Sequence, residues 1–444
     1  MNKKIIIKLI LFLLIPIQLL IFTFLVPPFQ KPDEQPHFEK SLLISKGYLF
    51  CQKKSNNTVK LEKKYVDFIK SPYLDLLTHG GPSKLSLKIF LKDLFSNKQD
   101  GKKINFNIDH LCSFPIVSYL PQAFALIVGS IFKLTPILSL YFGRLPMSIL
   151  GYFWFLYLYR KITENYKLML LFTFALPMTL HQISSFSYDA FHTMLALTFF
   201  VLIINYRLLK KLKNRNYLNL FLVLFLFLWS KKIGYETFFL FLFLIPFEIK
   251  PMIISSLVFT PFYFLSKLTG TFDLQASFTN STLNPMWQIS FLLSNPTNII
   301  SVIIITTIQR FGFYLQSLIG IFGWLEYGLD PLSYLLYGLF FVYLLVNINL
   351  PKKYMLSKKK NFLLFGVLLI SYIFIVLLAF VFNTVPGTLI AHGVQGRYFI
   401  PFLPFIILLI VQIKNSVIFQ KILYFLIIIF LISATFYSVL NRYY

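Results

Sequence analysis

The 444-residue chain is 57% hydrophobic, 19% aromatic and only 13% charged, which is more apolar segment than one globular core can hide and excludes a soluble domain. Its formal net charge of +26 arises from 42 Lys and Arg against 16 Asp and Glu. The basic residues fall in short connectors between apolar runs, so the charge reads as membrane topology, with the lipid bilayer as partner and no nucleic acid expected. Apolar runs that approach the roughly 20 residues needed to cross a bilayer, with no series of short alternating strands, point to an all-α polytopic membrane protein and away from a β-barrel.

Lys3, Lys4 and Lys8 precede an apolar stretch, Leu9 to Val26, that has no small-residue cleavage site. This predicts an uncleaved anchor with its amino end in the cytoplasm. Immediately beyond it come Pro32, Asp33 and Glu34, followed by His37. Two carboxylates and an imidazole at a bilayer exit cost solvation energy unless they bind or transform something. Asp33 is the candidate catalytic base, with Glu34 and His37 as its neighbours. If the run is helical from Pro32, Asp33 and His37 lie four apart on one side, and Pro32 suits the first helical position. These three residues also form a possible magnesium or manganese ligand set, the alternative being ordinary hydrogen-bonded surface groups.

Residues 27–114 read as one large first extracytoplasmic loop. It holds nine of the acids, including Glu39, Glu62, Asp75, Asp100 and Asp109, together with Phe38, Tyr48, Tyr65 and Phe68, as in a small folded cap. Cys51 and Cys112, the only cysteines, both lie in it. In an oxidising exterior they pair; otherwise they are two buried thiols.

The basic connectors at Arg160 to Lys167, Arg207 to Arg215, Lys352 to Lys360, and Lys414 with Lys421 are expected to be cytoplasmic. Parity then requires that one apolar run before Arg160 does not cross. Residues 115–136, broken by Pro115, Pro121, Ser118 and Gln122, suit an interfacial or re-entrant helix. The same counting has Leu168 to Tyr188, Ala190 to Tyr206, Tyr217 to Lys231, Tyr235 to Ile249 and Met252 to Leu268 each crossing. Ile299 to Gly320, interrupted by Gln309 and Arg310, is expected not to span. Leu332 to Val346, Phe362 to Phe382, Phe399 to Ile413 and Ile422 to Leu440 complete about eleven crossings, with the carboxyl end outside.

Cations suited to a phosphate occur near the outer ends of these runs. Arg397, in a turn with Gly393 and Gly396, offers a planar fork; Lys231 and Lys232 offer point charges; Arg144 and Arg310 are lesser candidates. The competing reading is that they snorkel to headgroups. Asp189, beside Tyr188, either caps the next helix or meets substrate. No nucleotide-binding glycine loop and no Ser-His-Asp spacing occurs, and internal repeats are not evident.

The run Pro27-Pro28-Phe29-Gln30-Lys31-Pro32-Asp33-Glu34-Gln35-Pro36-His37-Phe38 is followed, in order, by Tyr119-Leu120-Pro121-Gln122, Ser187-Tyr188-Asp189-Ala190, Ser230-Lys231-Lys232, Gly323-Trp324-Leu325 and Gln395-Gly396-Arg397-Tyr398. Taken in sequence these runs resemble the bacterial DUF2142 family of membrane proteins, grouped with the GT-C glycosyltransferases. Glu326 stands where that pattern leads one to expect Asp. The resemblance implies a GT-C-like bundle with interfacial helices, in the bacterial cytoplasmic membrane, that binds a polyprenyl-phosphate-linked sugar at the outer leaflet. It implies transfer of that sugar to a cell-envelope glycan, lipid or protein acceptor, with the loop acid at the reaction and Gln395 and Tyr398 beside Arg397 as substrate-binding residues. A transporter or flippase of lipid-linked glycans is the alternative.

Overall fold

A computed structural model describes residues 7–49, 51, 57–70, 84–95, 101–231, 234–246, 248–266, 283–348, 350–412 and 424–444. Lys3, Lys4, Asp75, Asp100, Lys232, Lys414 and Lys421 lie outside these residues. Helix α1 (Ile7–Leu25) is the apolar anchor, and its turns widen over Ile10–Leu14 and Ile21–Leu25 on either side of the turn holding Pro16. Proline lacks the N–H that a regular ladder needs, which favours such local loosening.

Although apolar, α1 is tied sideways by polar groups. Gln18 Nε2 donates to Tyr337 Oη and to Thr435 Oγ1, both at 3.0 Å, and Thr23 Oγ1 lies 2.9 Å from Ser148 Oγ. These bonds join it to α6 (Pro136–Lys161), α14 (Pro331–Asn347) and α17 (Tyr424–Tyr443). Where lipid competes equally well for apolar faces, interhelical hydrogen bonds of this kind select the neighbours.

Residues beyond α1 build a second apolar cluster. Helix α2 (Glu34–Ser45) buries Phe38, Leu42 and Leu43 against Leu61 and Phe68. Strand β1 (Thr58–Glu62) runs into α3 (Lys63–Ile69) and pairs antiparallel with β2 (Lys103–Asn107), Thr58 opposite Asn107 and Glu62 opposite Lys103. Helix α4 (Leu87–Phe95) lies between them in sequence. Cys51 and Cys112 are joined as a disulfide that closes 61 residues, so the paired alternative is the one found. Glu62 is held below the usual carboxylate range: burial opposes this, and hydrogen bonds from Lys46 and Lys64 outweigh it. This cluster packs through Leu126 and Leu140 onto α5 (Leu120–Ile131) and α6, and takes in Phe186 from further along the chain.

Several expected crossings differ from what is found. The stretch Leu168 to Tyr188 is two short helices, α7 (Lys167–Phe174) and α8 (Pro177–Ile183). Leu176 has ψ 134, the extended setting that a following proline imposes, and the chain restarts at Pro177. After α9 (Tyr188–Arg207) and α10 (Asn214–Trp229), Tyr235 to Ile249 holds a 3₁₀ stretch, Glu236–Leu244. Helices α11 (Ile249–Ser266) and α12 (Pro285–Ser294) follow. Next, α13 (Pro296–Ile319) is one continuous helix long and apolar enough to cross, contrary to the expectation for Ile299 to Gly320: Gln309 and Arg310 do not interrupt it. A two-residue hairpin, β3 (Ile321–Phe322) with β4 (Tyr327–Gly328), leads to α14, α15 (Lys358–Asn383), a 3₁₀ turn Gly396–Phe402 and α16 (Leu403–Val411).

The protein is thus a helical membrane protein in which four described helices, α1, α9, α13 and α15, are of crossing length and apolarity. Shorter apolar helices accompany them, such as Val117–Ile131, Pro331–Val342 and Gly396–Val411, and α6 runs for 26 residues; the expected total of about eleven crossings goes beyond these four.

Lys40, on α2, is almost wholly buried, and burial pushes its ammonium from 10.5 down to about 8. Folded protein therefore releases this proton before the unfolded chain does, so stability rises with pH between about 8 and 10.5. Thermal unfolding in detergent is expected to show that rise, and Lys40→Met is expected to flatten it; a falling slope contradicts the assignment.

Candidate functional site

The connection from α1 to α2 is irregular, yet its backbone is almost fully accounted for. Carbonyls from Leu25 to Gln30 each have a partner: Tyr444 Oη on Leu25, Arg144 on Val26 and Pro27, Gln30 Nε2 on Pro28, Trp324 Nε1 on Phe29, and Tyr443 Oη on Gln30. Buried carbonyls demand such partners, and apart from Gln30 they come here from α6, the β3–β4 turn and the chain at the end of α17. Lys31, fully buried, donates to the carbonyl and the hydroxyl of Ser184 just past α8. Burial, aided by the positive charge of Arg144, lowers its pKa well below the lysine norm.

Next in the chain, the two acids part company. Asp33 is left-handed (φ 56) and stands before the first turn of α2, which begins at Glu34. The expectation that Pro32 opens the helix and that Asp33 and His37 share one helix face is therefore corrected: a left-handed residue cannot continue a right-handed helix, so the Asp33 side chain leaves by another direction. It remains 48% exposed. Asp tolerates this backbone better than most residues, though the setting still costs roughly 1 kcal/mol or more, and such strain clusters at functional positions.

Glu34 is turned inward and wholly buried with Arg144. Arg144 Nε reaches Oε1 at 2.8 Å and Nη2 reaches Oε2 at 2.5 Å, a complete two-point fork. The remaining hydrogens of Arg144 serve the carbonyls of Thr23, Val26 and Pro27 at 3.1, 2.6 and 3.0 Å. Both residues were expected at the chemistry, Glu34 beside the base and Arg144 on phosphate. The structure instead commits every strong group they have to the scaffold. His37 is buried as well, its Nδ1 2.6 Å from Tyr119 Oη and its ring against Phe114 and Tyr188. With Glu34 on Arg144 and His37 on Tyr119, the proposed Asp33, Glu34 and His37 ligand set does not fit a divalent cation, and no three acidic, His or Cys side chains among the described residues converge in that way.

Asp33 faces a different group of charges. Arg397 Nη2 lies 3.3 Å from Asp33 Oδ2, and Arg397 Nη1 is 4.0 Å from Asp189 Oδ2. Asp189 Oδ1 in turn accepts from Lys231 Nζ at 2.7 Å, and Gln182 Nε2 reaches Oδ2 at 3.3 Å. The cap of α9 is Ser187, whose Oγ accepts from the Asp189 backbone N–H; the capping reading of the Asp189 carboxylate is thereby replaced by an ion pair. Lys231 sits among three tyrosine rings, 4.4 Å from the centre of Tyr398 and 5.2 Å from those of Tyr188 and Tyr235. A desolvated ammonium is held well by such rings.

Local sequence explains the placement of Arg397. A Cβ on Gly396 would lie 2.1 Å from the Tyr314 carbonyl and 2.3 Å from the Leu318 nitrogen, so only glycine lets this turn press onto the backbone of α13, where Ser317 Oγ accepts its N–H at 2.8 Å. Gln395 precedes the turn with its Oε1 buried and unpartnered, and Arg397 Nε is likewise buried without a partner. No ion pair joins Arg310 to this group among the described residues. Sequence reasoning gave no role to Tyr188, Tyr235 or Lys31, although each adjoins or lies in a singled-out run.

The sequence pattern of a family described as predicted membrane protein (DUF2142) matches residues 17–406. No curated protein and no solved structure matches.

Glu34→Gln leaves the buried Arg144 charge uncompensated and is expected to cost ~3–5 kcal/mol, whereas Asp33→Asn breaks only a half-exposed pair worth ~1 kcal/mol or less. Thermal unfolding of the two variants measures the contrast; equal losses contradict it.

Proposed function

The chain belongs to the DUF2142 family of membrane proteins, and on that premise we propose that it is a membrane glycosyltransferase of GT-C type, moving a sugar from a polyprenyl-phosphate donor to a cell-envelope acceptor at the outer face of the bacterial cytoplasmic membrane. The observation that carries this reading is Asp33: a half-exposed carboxylate in a strained left-handed setting, at the edge of a buried cluster of Arg397, Lys231 and three tyrosines. Acids and cations from residues far apart in sequence meet there, as a reaction that separates charge requires. The Cys51–Cys112 disulfide supports an oxidising exterior for the segment that bears Asp33, with the amino end of α1 in the cytoplasm.

Asp33 takes the proton of the acceptor hydroxyl as its oxygen bonds to the anomeric carbon. The bond from that carbon to the phosphate oxygen breaks, and its electron pair stays on the departing polyprenyl phosphate, which gains a second negative charge. Before substrate enters, the cluster holds two cations, Arg397 and Lys231, against Asp33 and Asp189. Protonation of Asp33 leaves one positive charge in excess at the moment the phosphate becomes dianionic. Tyr188 and Tyr398 offer apolar faces for a sugar ring, and Gln395 Oε1 offers an acceptor for a hydroxyl. Glu34, Arg144 and His37 position this site without touching substrate.

A second reading has one specific observation in its favour: the break between α7 and α8, since discontinuous helices are a feature of transporters. Purified protein in proteoliposomes, given radiolabelled polyprenyl-phosphate sugars and envelope acceptors, separates the two. Transfer is expected, and Asp33→Asn is expected to lower it by ~10²-fold or more. Label that crosses the bilayer with its glycosyl bond intact, equally well in Asp33→Asn, overturns the enzyme.

A further inference from the structure

Two arginines in this protein meet two adjacent acids, and they do so unequally. Arg144 presents Nε and Nη2 to Glu34, and both are filled, at 2.8 and 2.5 Å. Arg397 engages Asp33 through Nη2 alone, at 3.3 Å, and the Nε that completes the same fork is buried with no partner. An unfilled N–H on a buried guanidinium costs about 1–3 kcal/mol of desolvation. The Arg397 side chain is 5% exposed, whereas Asp33 is 48% exposed and loses little by turning to water. Arg397 itself is fixed: Gly396 is pressed onto α13, the Tyr398 ring lies 5.6 Å from the guanidinium, and Asp189 holds the opposite side.

We infer that Asp33 is a displaceable occupant of Arg397, and that a phosphate group takes the Nε–Nη2 edge in its place. A phosphate offers two coplanar oxygens to such a fork, which fills both donors at once. Its arrival releases the Asp33 carboxylate from its cation. In the transferase reading, on which the functional part of this inference rests, donor binding thereby creates the free base, and without donor the base stays neutralised by Arg397. The carboxylate is held back until a leaving phosphate is in place, which limits proton abstraction from acceptors when no donor is bound.

Full-length protein in phosphatidylcholine nanodiscs, titrated with farnesyl phosphate, with inorganic phosphate and with farnesol, tests this by equilibrium binding. Asp33→Asn removes the competitor and is expected to tighten phosphate binding about tenfold; Asp33→Gly, which also suits the left-handed backbone and guards against misfolding, is expected to do the same. Arg397→Lys, which lacks the fork, is expected to weaken it at least tenfold, and farnesol affinity is expected to follow none of these changes. Tightening with farnesyl phosphate alone identifies a lipid headgroup as the ligand, and tightening with both anions identifies the phosphate as sufficient; each supports the displacement. Unchanged or weaker phosphate binding in both Asp33 variants overturns it. The two proposals fail separately: tighter binding in a protein that transfers no sugar defeats the transferase alone, and transfer lost in Asp33→Asn at unchanged phosphate affinity defeats the displacement alone.

Discussion

The buried ion pair between Glu34 and Arg144 is the constraint on which the rest of the site depends. A charge pair taken out of water is only worth keeping if its remaining hydrogens are also used, and Arg144 uses them on the last carbonyls of the first helix and the turn that follows. One side chain from α6 therefore ends α1, steers the chain across the bundle and grips the first residue of α2. Trp324, Tyr443 and Tyr444 complete the same task from the other end of the sequence, and Glu326 supports them through Arg442 at 2.8 Å. The carboxylate at position 326, retained where Asp was expected, is in this way part of the frame around the first motif.

With that frame in place, two neighbouring acids take opposite roles. Glu34 is locked, saturated and out of reach; Asp33, one residue earlier, is strained, half in water and loosely paired. The buried acid makes the exposed one possible, since the left-handed turn at Asp33 persists only because the residues on both sides are held. Asp189 and Lys231 form the inner wall of the same site, and the tyrosines around Lys231 exclude water from it. A phosphate entering there would meet fixed positive charge in a poorly solvated place, where electrostatics act at full strength.

Much of this constellation was legible in the sequence. Asp33, Asp189, Lys231, Arg397 and Tyr398 were singled out as residues, and they do converge, because charged groups are tolerated in such a chain only where they meet one another. The glycine before Arg397 was legible too, as a place of close backbone approach. Which acid would be buried was not: Glu34 and Asp33 differ by one residue, and only the packing of Arg144 against the end of α1 decides between them. The course of the helices was only partly legible, for a related reason. Apolar length was read as crossing, but prolines such as Pro177 split some runs, while in α13 a polar pair that looked like an interruption is carried on an unbroken helix.

The most direct test of the central claim, that these groups from distant parts of the chain form one phosphate-binding site, is photo-cross-linking in proteoliposomes with an isoprenyl phosphate bearing a diazirine near its phosphate. The account predicts adducts on peptides carrying Asp33, Tyr188 with Asp189, and Gln395 to Tyr398, all suppressed by excess farnesyl phosphate. Competed adducts confined to other helices, with none on these three peptides, would contradict it.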